Sequence, residues 1–336
     1  MAEHNVTVES TLTALMENRK YAAVKDMLVT MNPADIASIF DELDEDKIPL
    51  MFRLLPKSLA ADTFVEMESE HQEMLIRGFS DKELGEVVDE LNVDDAADLA
   101  DEMPANVVSR ILAQASPEKR REINEILRYP ENSAGSIMTT EFVSLRVDMT
   151  VAEAIQRIRL TGVDKETIYT CYVTENRHLL GILSVKDLLL TLDDNKRVGE
   201  IMDTNVISVN TLTDQEEVAH RLSKYNFIAL PVVDTENRMV GIVTFDDAMD
   251  VIEEETTEDI EIMGGMTPSE KPYLRSSPVE LFKHRIPWLM LLMVSATFTG
   301  MIINGFESAL AAQVVLTSFI PMLMDTSFLQ IRAVCS

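Results

Sequence analysis

Two stretches decide how this chain reads: GILSVKD at residues 181–187 and GIVTFDD at residues 241–247. Both have the form Gly, two apolar residues, Ser or Thr, two variable residues, Asp. Working outward, the match continues in register. Two β-type runs precede or overlap each motif, 170–174 and 178–183 in the first copy, 229–233 and 239–243 in the second. The turns Glu175-Asn176-Arg177 and Glu236-Asn237-Arg238 fall between the paired runs, where hairpin loops belong. Earlier in each copy lie a helix signal near Thr150 or Thr213 and a short strand at 142–145 or 206–209. Each copy opens on Ile-Met, after Ser136 or Glu200. The pattern predicts one α/β module, used twice over residues 130–252.

Residues 1–129 lack strand signals. An apolar helix stripe returns every 24 residues: Ile36, Ile39, Phe40, Leu43; Ala60, Thr63, Phe64, Met67; Leu84, Val87, Val88, Leu91; Val108, Ile111, Leu112, Ala115. Pro56, Ser80 and Pro104 recur at the same interval, where a helix start is expected. Each unit predicts a helix plus a shorter one, too small to bury its own face. Stacked units would form an all-α superhelical domain. Asp94, Asp98 and Asp101 share a helical face next to Asp95. Taken alone, that cluster is a solvated face with helix-start acids. Without a glycine-bearing loop it is a weak metal signal.

After the second module comes DDAMDVIEEETTEDIE, residues 246–261, with nine acids in sixteen positions. As a helix it places Asp247, Asp250, Glu254, Glu258 and Glu261 on one face and Met249, Ile252, Thr256, Ile260 and Met263 on another. A solvated face is the ordinary reading of such a run. This run, however, joins a repeat to membrane-grade apolar sequence. That suits a connecting helix whose carboxylates need a divalent cation before they approach other carboxylates. Gly264-Gly265 offers a hinge. Lys283, His284 and Arg285 then precede 21 uncharged residues, 286–306, enough to span a hydrocarbon core at about 1.5 Å per residue. Trp288 suits an interface, and the bases place that end in the cytoplasm. A buried core helix is the alternative. Against it stands a second uncharged run, 308–324, after the single Glu307, with Pro321 expected to kink it.

The 336 residues carry 58 acids, 29 bases and a net charge of −29. That sign argues against phosphate recognition, so no nucleic-acid partner is expected, and it permits cation binding. Cys171 and Cys335 are too few and too far apart for a disulfide framework, which points to a reducing cytosol. The opening MAEHNVTVES has no signal-peptide pattern. No nucleophile–base pair, P-loop or Cys/His metal cluster is visible, so an enzyme is not expected.

The tandem module resembles a pair of CBS domains. The resemblance implies a pseudo-symmetric sensor, often dimeric, with an adenine nucleotide such as ATP in its cleft. Asp187 would face the ribose, with Asp247 its counterpart, and Phe227 would stack on a base. A purely architectural pair with an empty cleft is the other reading. The order of parts resembles MgtE-type magnesium transporters over roughly residues 30–326. The agreeing motifs are ETIYT (166–170), DQEEVA (214–219), LPVVD (230–234), GIVTFDD, TTEDI (256–260), GFESAL (305–310) and FIPMLMDT (319–326). The expected fold is multi-domain: an all-α superhelical N-domain at 1–129, an α/β tandem CBS pair at 130–252, an acidic connecting helix and linker at 253–280, and α-helical membrane segments at 281–336.

The family implies a homodimeric, multi-pass Mg2+ channel of the inner membrane, paired through its CBS domains and membrane helices. Its cytoplasmic domains would sense Mg2+ and close the pore, so Mg2+ is both regulator and cargo. Sensing positions carry over to Asp62, Asp94 and Asp98. In the CBS pair they fall on Glu216, Asp247 and Asp250, with Ser136 and Ser223 offering main-chain oxygen. On the connecting helix they fall on Glu255, Glu258 and Asp259. Asn226 stands where the family has Asp, which keeps an oxygen and loses a charge, and Asp62 replaces a Glu. After residue 326 the chain reads SFLQIRAVCS in place of the family's Gly-Gly-Asn stretch. The expectation from this is a truncated or frame-shifted product without the pore carboxylate. The rival expectation is a membrane-tethered regulator that binds Mg2+ or adenine nucleotide and transports nothing.

Overall fold

The computed structural model describes residues 2–268 and 278–305. Residues up to Ala248 form one compact unit and those from Met249 another. The first begins with α1 (Ala2–Glu17), α2 (Tyr21–Leu28), α3 (Pro33–Glu42), α4 (Ile48–Phe52), α5 (Lys57–Val65), α6 (Ser69–Gly78), α7 (Asp81–Glu90), α8 (Val93–Glu102), α9 (Ala105–Gln114) and α10 (Pro117–Ile126). The 24-residue period is a period of helix starts. Asn32, Pro56, Ser80 and Pro104 sit at the N-caps of α3, α5, α7 and α9, and Glu68, Asn92 and Ser116 at those of α6, α8 and α10. Ser80 forms a reciprocal capping box with Glu83. The stripes point inward as expected, with Ile36, Phe40, Leu84, Val88 and Ile111 buried in one continuous core. Phe52 packs its ring against Phe64 and Phe79, at centroid distances of 6.1 and 5.4 Å.

The shorter second helix expected in every unit is found only in α4, which has five residues, whereas α6, α8 and α10 have ten each. Proline is the reason. Pro49 is tolerated only in a first turn, so α4 starts at Ile48, late in its repeat.

The first module comprises β1 (Phe142–Leu145), α11 (Val151–Thr161), β2 (Thr167–Glu175), β3 (His178–Ser184) and α12 (Val185–Leu190). The second has α13 (Val198–Ile201), β4 (Val209–Asn210), α14 (Gln215–Tyr225), β5 (Ala229–Val233) and β6 (Met239–Thr244). Each sheet has three strands, the first two parallel and the last two antiparallel. Asn176 (φ 50°), Arg177 (φ 70°) and Asn237 (φ 60°) take the left-handed conformations of tight hairpin turns.

The two modules exchange segments. Thr139 and Ile242 trade backbone hydrogen bonds of 2.8 and 2.9 Å, and Asp203 and Ile182 do the same at 2.9 Å. This exchange explains the glycine that opens both motifs. A Cβ on Gly181 would lie 2.8 Å from the Asp203 carbonyl oxygen, and one on Gly241 would lie 2.7 Å from that of Thr139. It also corrects the strand expected at 206–209. The chain is held by β3 at Asp203, turns where Asn205 N–H donates to the Asp203 carboxylate, and joins its own sheet only at Val209.

The acidic run lies in α15 (Phe245–Gly264). The apolar face read at Met249, Ile260 and Met263 is exposed, at 46%, 59% and 56%, while Ala248 and Val251 are buried. Helix phase is set in the first turn, where α15 leaves β6. Gly264 ends the helix, and at the expected hinge Gly265 has φ +70° with the Trp288 ring in the space a Cβ would need. Thr267 N–H donates to His284 O at 3.1 Å. Trp288 and His284 belong to α16 (Pro278–Gly305), in which Leu281–Gly305 has a mean hydropathy of 1.9 and is long and apolar enough to cross a membrane. The second apolar run, with Glu307 and Pro321, lies outside the described residues, as does Cys335.

Candidate metal centre at a carboxylate junction

The Ser/Thr-x-x-Asp end of each motif stands at the start of a helix. Ser184 Oγ donates to Asp187 Oδ2 at 2.6 Å and accepts from Asp187 N–H at 3.0 Å. Thr244 donates to Asp247 Oδ2 through its hydroxyl, and through its N–H at 3.3 Å. Surroundings then separate the two. Asp187 is exposed, at the head of α12. Asp247 is half-buried and shares its electrostatic environment with the first turn of α8.

That first turn holds Asp94 and Asp95. Asp94 is 4% exposed, and its Oδ1 is buried without a hydrogen-bond partner. Burial, then the charges of Asp247, Asp95, Glu166 and Asp98, hold its carboxyl well above the ordinary range. Burial also raises Asp247, assisted by Asp246 and Asp95 and opposed by the Thr244 hydrogen bonds. Asp95 is pushed up to about 6 by burial, with Asp246 and Glu141 adding to the effect and Lys119 opposing it. Glu166, just before β2, is pushed up to about 7 by burial and then by Asp247, Asp246 and Asp95. Its Oε2 is buried and unpartnered too. At the rim, Lys119 Nζ lies 3.5 Å from Glu141 Oε1 and donates to Leu91 O.

Five carboxylates from α8, the β2 approach and the head of α15 thus gather around two buried oxygens that have no donor. Such a set has two ways to be satisfied: it binds protons, or it binds a cation with oxygen preference. The residue types, all carboxylate, fit a hard dication such as Mg2+.

Of the residues expected from sequence, the junction brings together Asp94 and Asp247, with exposed Asp98 one helical turn along α8. Asp62 is exposed on α5; its carboxyl is raised by partial burial and by Glu90, so it senses a different neighbour. Glu216 lies in the first turn of α14, its N–H donating to the Asp214 carboxylate at 3.0 Å. Ser223 O accepts the Asn226 N–H at 3.3 Å, and Asn226 closes α14 in the left-handed conformation, which Asn tolerates. Ser136 Oγ donates to Ser133 O at 2.8 Å. Asp250, Glu255, Glu258 and Asp259 lie along α15 within the second unit. Phe227 stacks on Tyr225, with centroids 5.5 Å apart and an interplanar angle of 22°.

Glu166, Asp95 and Asp246 are members that sequence reasoning did not assign. Glu166 was visible only as the first letter of ETIYT, 72 residues from Asp94, and no spacing rule links the two. Asp95 lay beside the helical face that was singled out, and Asp246 was one acid among many.

The comparisons with known proteins agree with this architecture. Residues 31–132 match the family model of the MgtE intracellular N domain, and residues 134–194 and 198–254 match the CBS domain. The magnesium transporter MgtE of Thermus thermophilus is 38% identical over 309 residues, covering 90% of this chain and 68% of that protein. The MgtE of Bacillus subtilis is 32% identical over 313 residues, covering 92% and 68%. Among solved structures, the cytosolic domain of the Mg2+ channel MgtE in complex with ATP superposes with a TM-score of 0.69 at 38% identity, covering 72% of this chain and 99% of that one. The soluble part of a magnesium transporter gives 0.68 at 30% identity, covering 76% and 99%. With the N domain and the CBS pair both matched, and 38% identity over nine-tenths of the chain, the chain belongs to the MgtE family of magnesium transporters.

Proposed function

We propose that the junction is a cation-operated clasp, through which this magnesium-transporter chain senses cytosolic Mg2+ and restrains transport. The observation that carries the reading is the buried, donor-less oxygen of Asp94 amid four further carboxylates. Two carboxylates about 6 Å apart repel by about 3 kcal/mol at an effective dielectric near 20. Several such pairs drive α8 away from the CBS pair. Bound Mg2+ supplies two positive charges, through direct and water-mediated oxygen contacts. With their charge matched, Asp94, Asp95, Asp246, Asp247 and Glu166 can remain gathered. Asp246 and Asp247 open α15, and α15 closes on the Gly265 corner under Trp288. A change at the clasp is thereby carried along one helix to the head of the apolar helix α16. The restrained state must bind Mg2+ more tightly than the open one.

The same proposal places an adenine nucleotide at the exposed Asp187 with Phe227 stacking on the base, supported by the ATP complex of the MgtE relative. It also takes the chain as a homodimer in the inner membrane, with its N-terminal domains in the cytoplasm; Lys283 and Arg285 at the head of α16 support that orientation.

Limited proteolysis of the full chain in detergent tests the clasp. Millimolar Mg2+ should protect the segment between α10 and β1, and chelator should expose it. E166Q should move the protection midpoint. Identical fragments in Mg2+ and in chelator would overturn the reading.

A further inference from the structure

We propose that Lys119 is the resident cation of the carboxylate junction, a positioning residue that keeps α8 partly gathered on the CBS pair when Mg2+ is scarce, so that Mg2+ completes a closure already begun. The inference rests on the clasp reading and adds to it the group that sets its resting state.

Local rules do not place a lysine here. Asn32, Ser80, Asn92, Thr150, Ser184 and Asp214 are the N-caps of α3, α7, α8, α11, α12 and α14, and each is followed three residues on by Asp or Glu. That is the expected pattern, because the positive end of a helix favours acids and opposes bases. Ser116 caps α10 in the same way, its Oγ accepting the N–H of the residue three on at 3.3 Å, but that residue is Lys119. The missing acid is replaced from another helix. In α7 and α11 the third-position glutamate also accepts the N–H of the cap, from Ser80 at 2.8 Å and from Thr150 at 2.9 Å. In α10 the Ser116 N–H goes instead to the carboxylate of Asp89 in α7, at 3.1 Å. Asp89 thereby takes over the capping role and leaves position 119 open to a cation.

The place of that cation gives it a use. The Lys119 and Glu141 side chains are 12% and 17% exposed. Lys119 Nζ donates to Leu91 O, one residue before the N-cap of α8, and lies 3.5 Å from Glu141 Oε1. Glu141 stands just before β1, and its carbonyl accepts the Glu166 N–H at 3.0 Å. One ammonium therefore reaches from the root of α8 to the CBS residue that anchors Glu166. Its charge also opposes the rise that burial imposes on the Asp95 carboxyl. Capping the end of α7 at Leu91 occupies only one of its three N–H donors. Arg120 does the same for α9, at Ala113 O and Ala115 O, from an exposed position. Burial of Lys119 is thus not required for capping; it suits a charge placed among acids. A single positive charge reduces the repulsion between the junction carboxylates without cancelling it, which leaves room for a dication.

The test measures the distance from α8 to the CBS pair by pulsed electron resonance, in the full chain in detergent. Spin labels at D101C and V163C, in a C335S background, are read in the parent, K119R and K119M, each in chelator and in millimolar Mg2+. In chelator the parent should keep a minority of short distances. K119M should lower the ratio of short to long distances about fivefold or more, and K119R should retain it. In Mg2+ all three should give the same short distance. A lysine that only packs α10 on α8 would lengthen the distance in K119M under both conditions, and that result would overturn the inference. So would K119M matching the parent in chelator, K119R behaving as K119M, or a parent without short distances in chelator; in these cases a parent that still responds to Mg2+ leaves the clasp reading standing. A parent indifferent to Mg2+ would overturn both.

Discussion

The Ser184–Asp187 turn of the first CBS module and the Thr244–Asp247 turn of the second are built alike. In both, a hydroxyl at the start of a helix donates to the aspartate three residues on. In both, the preceding glycine admits a carbonyl from the other module. Yet Asp187 is exposed, while Asp247 is half-buried among the acids of α8 and Glu166. One local device therefore serves two chemistries, and what is packed beside it decides which. An aspartate open to solvent can hydrogen-bond a ligand hydroxyl. An aspartate crowded by other carboxylates is held near its neighbours only by protons or by a cation.

The largest effect should come from neutralising the crowded side. D94N with D247N should hold the junction closed in chelator and abolish the Mg2+ dependence of proteolysis, while ATP binding persists. D187A should do the reverse, weakening ATP about five- to tenfold in equilibrium binding and leaving the Mg2+ response alone. If both variants disturb both ligands, the separation of the two turns is wrong.

Next comes pH. Asp95 and Glu166 are raised from 3.8 and 4.5 to about 6 and about 7, so the gathered junction holds protons that the unfolded chain releases. Without divalent cation, their stabilising contribution is full below about pH 4 and is lost as pH rises through 6 to 7. Hydrogen exchange in α8 should accordingly be slowest in acid. Protons and Mg2+ compete for the same oxygens, so the Mg2+ midpoint should rise several-fold from pH 8 to pH 6.

A symmetric control sharpens the comparison. G181A and G241A place a Cβ 2.8 and 2.7 Å from a carbonyl oxygen, so each should lower stability by roughly 1–3 kcal/mol in thermal unfolding. Equal losses would show that the turns differ only in surroundings. The smallest effect belongs to N226D, which restores a charge at the cap of α14 and should tighten Mg2+ binding a few-fold at most.

What could be read from sequence was local. Caps at Pro56, Ser80, Pro104 and Thr150, the ENR turns and the 24-residue stripes all depend on residues a few positions apart, and all were legible. Errors arose where a distant element intervened. β4 is short because Asp203 is paired to the other module, and the apolar face of α15 was misplaced because β6 sets the phase of the helix. Asp94 and Asp247 were reached through a family resemblance, which the comparisons bear out. Glu166 was missed as a junction residue because only the fold brings it beside α8.

The central claim is that α8 and the CBS pair stay together only when their shared charge is matched. Spin labels at D101C and V163C, two exposed positions flanking the junction, in a chain carrying C335S, report that separation by pulsed electron resonance. The account predicts one short, narrow distance in millimolar Mg2+ and a longer, broader distribution in chelator, reversible on adding Mg2+ back. The same distribution in both conditions would contradict it.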